Sequence, residues 1–189
     1  MFKYLRPALT LVAALTVITG LAYPLAINGI AQALMPAKAN GSLVERDGTV
    51  VGSALIGQAF AADRYFWPRP SATGPGPYNA AASSGSNLGT TSAKLKDRVA
   101  TDVARLAEAG FSRPLPADAV TTSGSGLDPH VTPAFAQAQV PRVAQARGLE
   151  PAAVASLVER QTEGPAFGVV GEARVNVLEL NLALDALMM

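Results

Sequence analysis

The longest run of apolar positions lies near the amino-terminal end of the chain. Residues 7–37 carry no charge, with Lys3 and Arg6 before them and Lys38 after them. About 20 helical residues cross the hydrocarbon core of a bilayer, so this run is long enough to span it. The pattern predicts one transmembrane helix over residues 9–30.

The charges around the run predict its orientation. Lys3 and Arg6 lie on its short side, and the positive-inside rule places that side in the cytoplasm. The expected segments are a cytoplasmic amino terminus over residues 1–8, a connector over 31–39 and an extracytoplasmic domain over 40–189. The alternative is a cleaved signal peptide, because Ala31-Gln32-Ala33 resembles a cleavage site. The run is longer than an ordinary signal core, which favours the anchor.

Small and polar residues form a stripe along the predicted helix. Thr16, Gly20, Pro24 and Asn28 are spaced four residues apart and therefore share one face. Pro24 cannot donate the helical hydrogen bond to Gly20, so a kink is expected there. Such a face suits contact with other helices, although these residue types are also common in membrane helices generally.

The remaining chain alternates short apolar runs with turn residues. Asp47-Gly48 lies between apolar runs at residues 43–44 and 50–51, which is a hairpin signal. Ser92 precedes apolar residues at helical spacing, and Gly110 follows them, so a helix is expected between the two. The sequence therefore predicts a hairpin followed by an amphipathic helix.

Prolines and glycines delimit two further helices. Thr132-Pro133 is a typical helix start and Gly148 a typical end, with Pro141 expected to kink the helix or divide it into two pieces. Pro151 begins the next helix, whose predicted inward positions are Val154, Leu157 and Val158.

The carboxy-terminal segment combines two periods. Alternation around Val175 favours a short strand, and leucines at 180, 184 and 187 favour a helix from Asn176 onward. Together these elements predict an α+β fold: a mainly helical domain with a short β-hairpin or small sheet, behind one transmembrane helix.

Composition narrows the possible functions. The chain is 49% apolar and 15% charged with a net charge of +1, so it has no basic field for nucleic acid. It has no cysteine and one histidine, which leaves no set of metal ligands of the usual kind. We therefore expect no nucleic-acid partner and no metal site.

Residues 65–92 have the glycine, proline and serine content of a linker, yet they contain the only tryptophan. Linkers are depleted in aromatic residues, so we expect this aromatic loop to be ordered by contact. One hypothesis is a docking surface, since Tyr, Trp and Arg are typical interface anchors; its candidates are Tyr65, Trp67, Arg69 and Tyr78. The alternative is that Phe66 and Trp67 fill the core of the domain itself.

The catalytic patterns are weak. Penicillin-interacting serine enzymes need a serine three residues before a lysine, but Thr91 stands there before Lys94. Ser125, Asp128 and His130 have the residue types of a triad, yet they lie within six residues, whereas triads join separate segments. A membrane-anchored serine hydrolase is therefore the alternative function, and an anchored solute-binding module would need a concave polar pocket.

Several segments behind the apolar run carry a family resemblance. They are "GSALIGQAF", "YFWPRPSA", "YNAAASSGSNLG", "SGSGLDPHVTPAFAQAQVPRVAQARGL" and "GEARVNVLELNLALDAL". In this order, after a single membrane helix, they resemble the KdpC subunits of Kdp-type potassium-transporting ATPases. The resemblance covers nearly the whole chain.

The resemblance implies a non-catalytic subunit of an ATP-driven potassium uptake complex in the bacterial inner membrane. Its implied partners are a channel-like potassium-binding subunit, a P-type ATPase catalytic subunit and a very small membrane subunit, besides membrane lipid. The subunit would stabilise assembly and cover the outer face of the channel-like subunit. ATP and potassium would be used by the complex, with no cofactor bound by this chain.

One glutamine is credited in the family with an effect on ATP affinity, and it corresponds to Gln139. The expected orientation places Gln139 outside the cell while ATP is inside. We therefore interpret any such effect as coupling through the membrane subunits.

Overall fold

The computed structural model describes residues 2–187, which divide after Ser53 into two compact units. Met1, Met188 and Met189, which belong to the predicted terminal segments, lie outside the described residues. In the first unit a single 3₁₀ turn, Phe2–Tyr4, precedes the helices. The elements that follow are α1 (Leu5–Val17), a π-helical turn (Ile18–Ala22), α2 (Tyr23–Leu34), α3 (Pro36–Ala39), β1 (Leu43–Arg46) and β2 (Thr49–Ser53).

The apolar run forms one helix over Leu5–Leu34, with a mean hydropathy of 1.9, long and apolar enough to cross a membrane. The predicted span 9–30 lies inside it. The helix extends further at its start because Pro7 sits in the first turn, where a missing N–H costs nothing. It ends where Met35 takes extended φ before Pro36.

The predicted hairpin is confirmed. Strands β1 and β2 pair antiparallel, and Arg46 faces Thr49 across the turn. Asp47 and Gly48 have φ of 51° and 74°, the backbone that a two-residue hairpin turn requires. The hairpin groups with the long apolar helix and not with the larger unit.

The larger unit is mainly helical. Its elements are α4 (Ala93–Glu108), β3 (His130–Val131), α5 (Pro133–Arg147), α6 (Pro151–Arg160), β4 (Thr162–Glu163), β5 (Arg174–Asn176) and α7 (Val177–Ala186). The three strands form a small antiparallel sheet in the order β3-β5-β4. With the hairpin, this confirms the predicted α+β class.

The predicted helix starts are confirmed by hydrogen bonds. The Ser92 hydroxyl accepts from the N–H of Leu95, and the Thr132 hydroxyl accepts from the N–H of Phe135. Helix α7 begins as expected, with the Asn176 side chain accepting from the N–H groups of residues 178 and 179. Each cap satisfies amide groups that have no partner within the helix.

Of the two outcomes expected at Pro141, a kink or a division, the division is wrong, since α5 is one continuous helix from Pro133 to Arg147. Pro141 lies on the exposed side, so its ring does not enter the core. The opposite face buries Ala136, Val140 and Val143. This burial offsets the cost of an internal proline, about 3 kcal/mol.

The core lies between α5, α6 and α7, with contributions from α4 and the loops. Its fully buried large apolar side chains include Phe66, Leu106, Phe135, Val143, Val154, Val158, Leu180 and Leu184. The inward positions predicted for α6 are confirmed, because Val154, Leu157 and Val158 are all buried.

Candidate functional site

The aromatic loop is held at its start by two buried side-chain amides. Asn181 on α7 accepts from the N–H of Phe66 (2.8 Å) and donates to its carbonyl (3.0 Å). Gln139 on α5 does the same for Trp67, accepting at 2.7 Å and donating at 3.0 Å. Each side-chain amide pairs with the N–H and carbonyl of one residue, as a neighbouring strand would, which satisfies buried polar groups that would otherwise destabilise the fold.

The Trp67 ring lies in the core, with only 8% of the residue exposed. It stacks on Phe111 with centroids 6.2 Å apart, and its indole N–H donates to the carbonyl of Ala62. The guanidinium of Arg142 lies 3.8 Å from the ring centroid, and that of Arg105 lies 5.1 Å away. The core interpretation of Phe66 and Trp67 is thereby confirmed.

Arg142 connects the tryptophan to the preceding loop. It donates to the carbonyls of Asp63 (2.6 Å) and Tyr65 (3.0 Å) and to Oε1 of Gln139 (2.8 Å). Burial lowers the pKa of Arg142 to about 10, with Asp63 opposing this shift and Arg105 adding to it. The group stays charged at neutral pH, so the cation–π contact with Trp67 persists.

Tyr65 is half-buried at the edge of the same cluster. Its hydroxyl donates to Asp185 at 3.3 Å, and its ring lies 5.6 Å from that of Phe60. Arg147 pairs with Asp185 at 2.7 Å, and its guanidinium lies 4.9 Å from the Tyr65 ring centroid. Tyr65 therefore links the loop to α5 and α7.

Arg69 fastens the next part of the loop to residues 121–128, and Tyr78 supports Arg69 from within the loop. Arg69 pairs with Asp128 at 2.9 Å and donates to the carbonyl of Thr121. The Tyr78 hydroxyl donates to the carbonyl of Arg69 at 2.6 Å. Burial, followed by the charge of Asp128, raises the pKa of Tyr78 far above its usual range against the opposing effect of Arg69. The phenol therefore remains a donor.

Asp128 is the carboxylate that pairs with Arg69. Burial by itself would raise its pKa, but hydrogen bonds from His130 and Arg69 outweigh that effect and lower it. The charged form of Asp128 is therefore stabilised in the folded protein.

Two concave surfaces adjoin Arg69. A groove of about 250 Å³ is lined by Phe60, Trp67, Pro68, Pro70, Pro77, Tyr78 and Arg105, among others. A polar cleft of about 360 Å³ is lined by Asp118, Asp128, His130, Glu172 and Arg174, among others. Within the cleft Asp118 accepts from the N–H and hydroxyl of Thr132, and Asp128 pairs with Arg69. These carboxylates serve internal contacts.

In the long apolar helix, Gly20 of the predicted stripe lies beside Thr16. A Cβ added at Gly20 would lie 4.0 Å from Thr16 Cγ2, with no closer neighbour. Next to Pro24 the backbone widens to a π-helical turn, in which the N–H of Tyr23 donates to the carbonyl of Ile18. Such turns recur at functional positions in helices.

Comparison with known proteins covers both units. The sequence model of the family described as KdpC, the c chain of the K⁺-transporting ATPase, matches residues 5–186. A Methylorubrum populi protein named Potassium-transporting ATPase KdpC subunit is 57% identical, covering 99% of this chain and 98% of its own length. The protein of that name from Burkholderia orbicola is 58% identical, covering 96% and 95%. This chain belongs to the KdpC family.

The residue that the KdpC family resemblance associates with ATP is enclosed in this fold. Gln139 has no exposed surface, and both ends of its amide are hydrogen-bonded to Trp67. These bonds give Gln139 a structural role that requires no nucleotide.

The serine-hydrolase alternative is not supported for this KdpC family member. The Ser125 hydroxyl accepts from the N–H of Leu127 and lies 3.4 Å from that of Ser123. Asp128 accepts from the N–H of His130, which is a turn contact within two residues. Among the residues that the structure describes, no group of three or more acidic or histidine side chains could hold a metal ion.

Sequence reasoning overlooked Asn181 and the structural role of Gln139. A signal was present for Asn181, which lies among leucines in "ELNLALDAL", where a buried amide needs partners. No local signal could give Gln139 its partner, because Trp67 is 72 positions away.

Proposed function

We propose that this chain is the accessory, non-catalytic subunit of an ATP-driven potassium uptake complex. The observation that carries the proposal is the KdpC family match over residues 5–186, which includes both the membrane helix and the folded unit. The chain anchors itself through Leu5–Leu34.

The proposed partners are those of the Kdp-type complex: a channel-like potassium-binding subunit, a P-type ATPase catalytic subunit and a very small membrane subunit. ATP hydrolysis and ion passage belong to the partners, and this chain stabilises their assembly. Any effect of the chain on ATP use travels through packed membrane helices and not through nucleotide contact.

The proposed orientation places the amino terminus in the cytoplasm and the larger unit outside, over the outer mouth of the channel-like subunit. Support comes from Lys3 and Arg6 on the short side of the helix. The aromatic loop offers a partner the groove beside Trp67 and Tyr78.

Affinity purification from detergent-solubilised membranes tests the proposal. A tagged full-length chain is expected to recover the three partners, and labelled ATP to phosphorylate an aspartate on a partner polypeptide. Recovery of this chain alone, or phosphate on this chain, would contradict the proposal.

A further inference from the structure

Residues 162–176 form a hairpin arm that projects from the small sheet. Its base is the pairing of β4 with β5, where Glu163 and Arg174 face each other and form an ion pair at 2.9 Å. Near its tip Ala166 and Val170 exchange both backbone hydrogen bonds, at 2.8 and 3.0 Å. The arm is therefore closed at both ends by defined contacts.

The tip of the arm presents apolar side chains to solvent. Phe167 is 97% exposed, Val169 82% and Val170 62%. Single exposed apolar residues are common, but three within four positions form a contiguous apolar patch, and such patches are typical of interaction sites. Among the described residues of the larger unit, Phe167 is the one exposed aromatic side chain.

The backbone at the tip is also unusual. Phe167 has φ of 55°, in the left-handed region that bulky residues rarely adopt. The hydrogen bond from the N–H of Gly168 to the carbonyl of Pro165 closes the turn around it. The fold thus holds a costly conformation whose effect is to direct an aromatic ring away from the domain.

Charge distinguishes a protein partner from a lipid surface. Residues 164–171 carry no charge, and Glu172 follows the tip directly. Segments that insert into anionic membranes carry flanking lysines or arginines, whereas Glu172 would be repelled by anionic headgroups. The arm's one basic residue, Arg174, is paired with Glu163.

We propose that the arm inserts Phe167, with Val169 and Val170, into an apolar pocket on a partner subunit of the potassium-transporting ATPase complex. This inference rests on the proposed function. A large aromatic held in one conformation before binding loses little entropy on docking, which is the property of interface anchors.

Site-directed photo-crosslinking tests the inference, because the chain contains no cysteine. Phe167→Cys in the full-length tagged chain is labelled with benzophenone maleimide, assembled in the membrane with the other subunits and irradiated. The matched control is Ala107→Cys, at an exposed position on α4. We expect a covalent adduct with a partner polypeptide from position 167 and none from position 107.

The outcomes separate the two proposals. If the unmodified chain recovers partners but position 167 yields only lipid adducts or none, the arm does not dock on protein and the inference is wrong. If the unmodified chain recovers no partner, the proposed function itself fails, and the inference with it.

A second variant measures the contribution of the anchor. Phe167→Ser is expected to weaken recovery of the docked partner at least about thirtyfold, the effect of a strong anchor residue. Its unfolding, followed by Trp67 fluorescence, should match wild type because the Phe167 side chain is in solvent. Unchanged recovery would overturn the inference.

Discussion

Gln139 and Asn181 perform at the residue scale what a β-strand does elsewhere. Each uses one side-chain amide to satisfy the backbone N–H and carbonyl of one buried residue: Gln139 does so for Trp67 and Asn181 for Phe66. Because the amides come from α5 and α7, they fix the loop to two helices at once.

Gln139→Leu should destabilise the protein strongly. It leaves the N–H and carbonyl of Trp67 without their partner, at about 1–3 kcal/mol for each buried group. Urea unfolding of the full-length chain in detergent, followed by Trp67 fluorescence, measures the loss. Gln145→Leu, at an exposed position on the same helix, is the control and should unfold as wild type. Equal stability of the two variants would contradict a stabilising role for the hydrogen bonds between Gln139 and Trp67.

Asp128 gives a prediction on pH. Its folded pKa lies below the value of the unfolded chain, about 3.9, so the folded state binds fewer protons and is favoured above that pH. The advantage of wild type over Asp128→Asn should be full at about pH 7 and shrink as the pH falls below about 4. Unfolding free energies of both proteins across this range provide the measurement. If the stability advantage of wild type over Asp128→Asn grew as the pH fell, the prediction would be wrong.

At the element scale, the loop around Gly126 packs closely against residues 73–84 of another loop in the larger unit. A Cβ at Gly126 would lie 2.7 Å from the carbonyl oxygen of Ser84 and 2.7 Å from Thr73 Cγ2, and the φ of Gly126 is +69°. Gly124, two residues away, would place a Cβ in open space. The pair therefore distinguishes close packing from a general effect of replacing glycine.

Gly126→Ala is expected to lower the unfolding free energy by about 1–3 kcal/mol through overpacking, with a further contribution from its left-handed backbone. Gly124→Ala should leave it nearly unchanged. Thermal unfolding of both full-length variants decides the matter. If the two behave alike, the loops are not packed as described.

The membrane helix allows the same kind of comparison. Within the chain a side chain at Gly20 meets nothing closer than Thr16 at 4.0 Å, and one at Gly29 meets nothing within 4 Å. The two glycines lie nine residues apart and on different helix faces. An effect confined to position 20 would therefore come from a neighbouring helix.

Gly20→Leu should reduce recovery of partner subunits by about tenfold or more, because it prevents close approach of helices. Gly29→Leu should have no such effect. Both variants should remain in the membrane fraction, since each adds hydrophobicity. If both variants recovered the partner subunits equally well, Gly20 would have no role in helix contact, and the helix would serve only as an anchor.

At the scale of the whole molecule, a long uncovered apolar helix belongs to the same chain as a folded unit with its own core. The side chains of the helix are exposed along almost its whole length. We propose that lipid and partner helices, and not water, surround these side chains.

Topology is the prediction that belongs to this scale. An alkaline phosphatase reporter fused after Met189 should be active, because the proposed orientation sends the larger unit out of the cytoplasm. The chain should stay in the membrane with residues 5–34 attached. An inactive reporter would reverse the orientation, and a soluble product beginning near Leu34 would identify a signal peptide.

The sequence by itself determined the elements whose causes are local. Asp47-Gly48 made the hairpin turn, Ser92 and Thr132 began helices, and the uncharged run made the long apolar helix, because each signal acts over a few residues. The order of family segments likewise required no three-dimensional information.

Only the tertiary structure decided which aromatic residues face inward. Trp67 is buried because Gln139, Phe111 and Arg142, all distant in sequence, meet it in the fold. Phe167 points outward although its residue type favours burial. Burial depends on contacts between distant segments, and these arise when helices pack, so neither the loop's inward rings nor the arm's exposed tip could be predicted from local pattern.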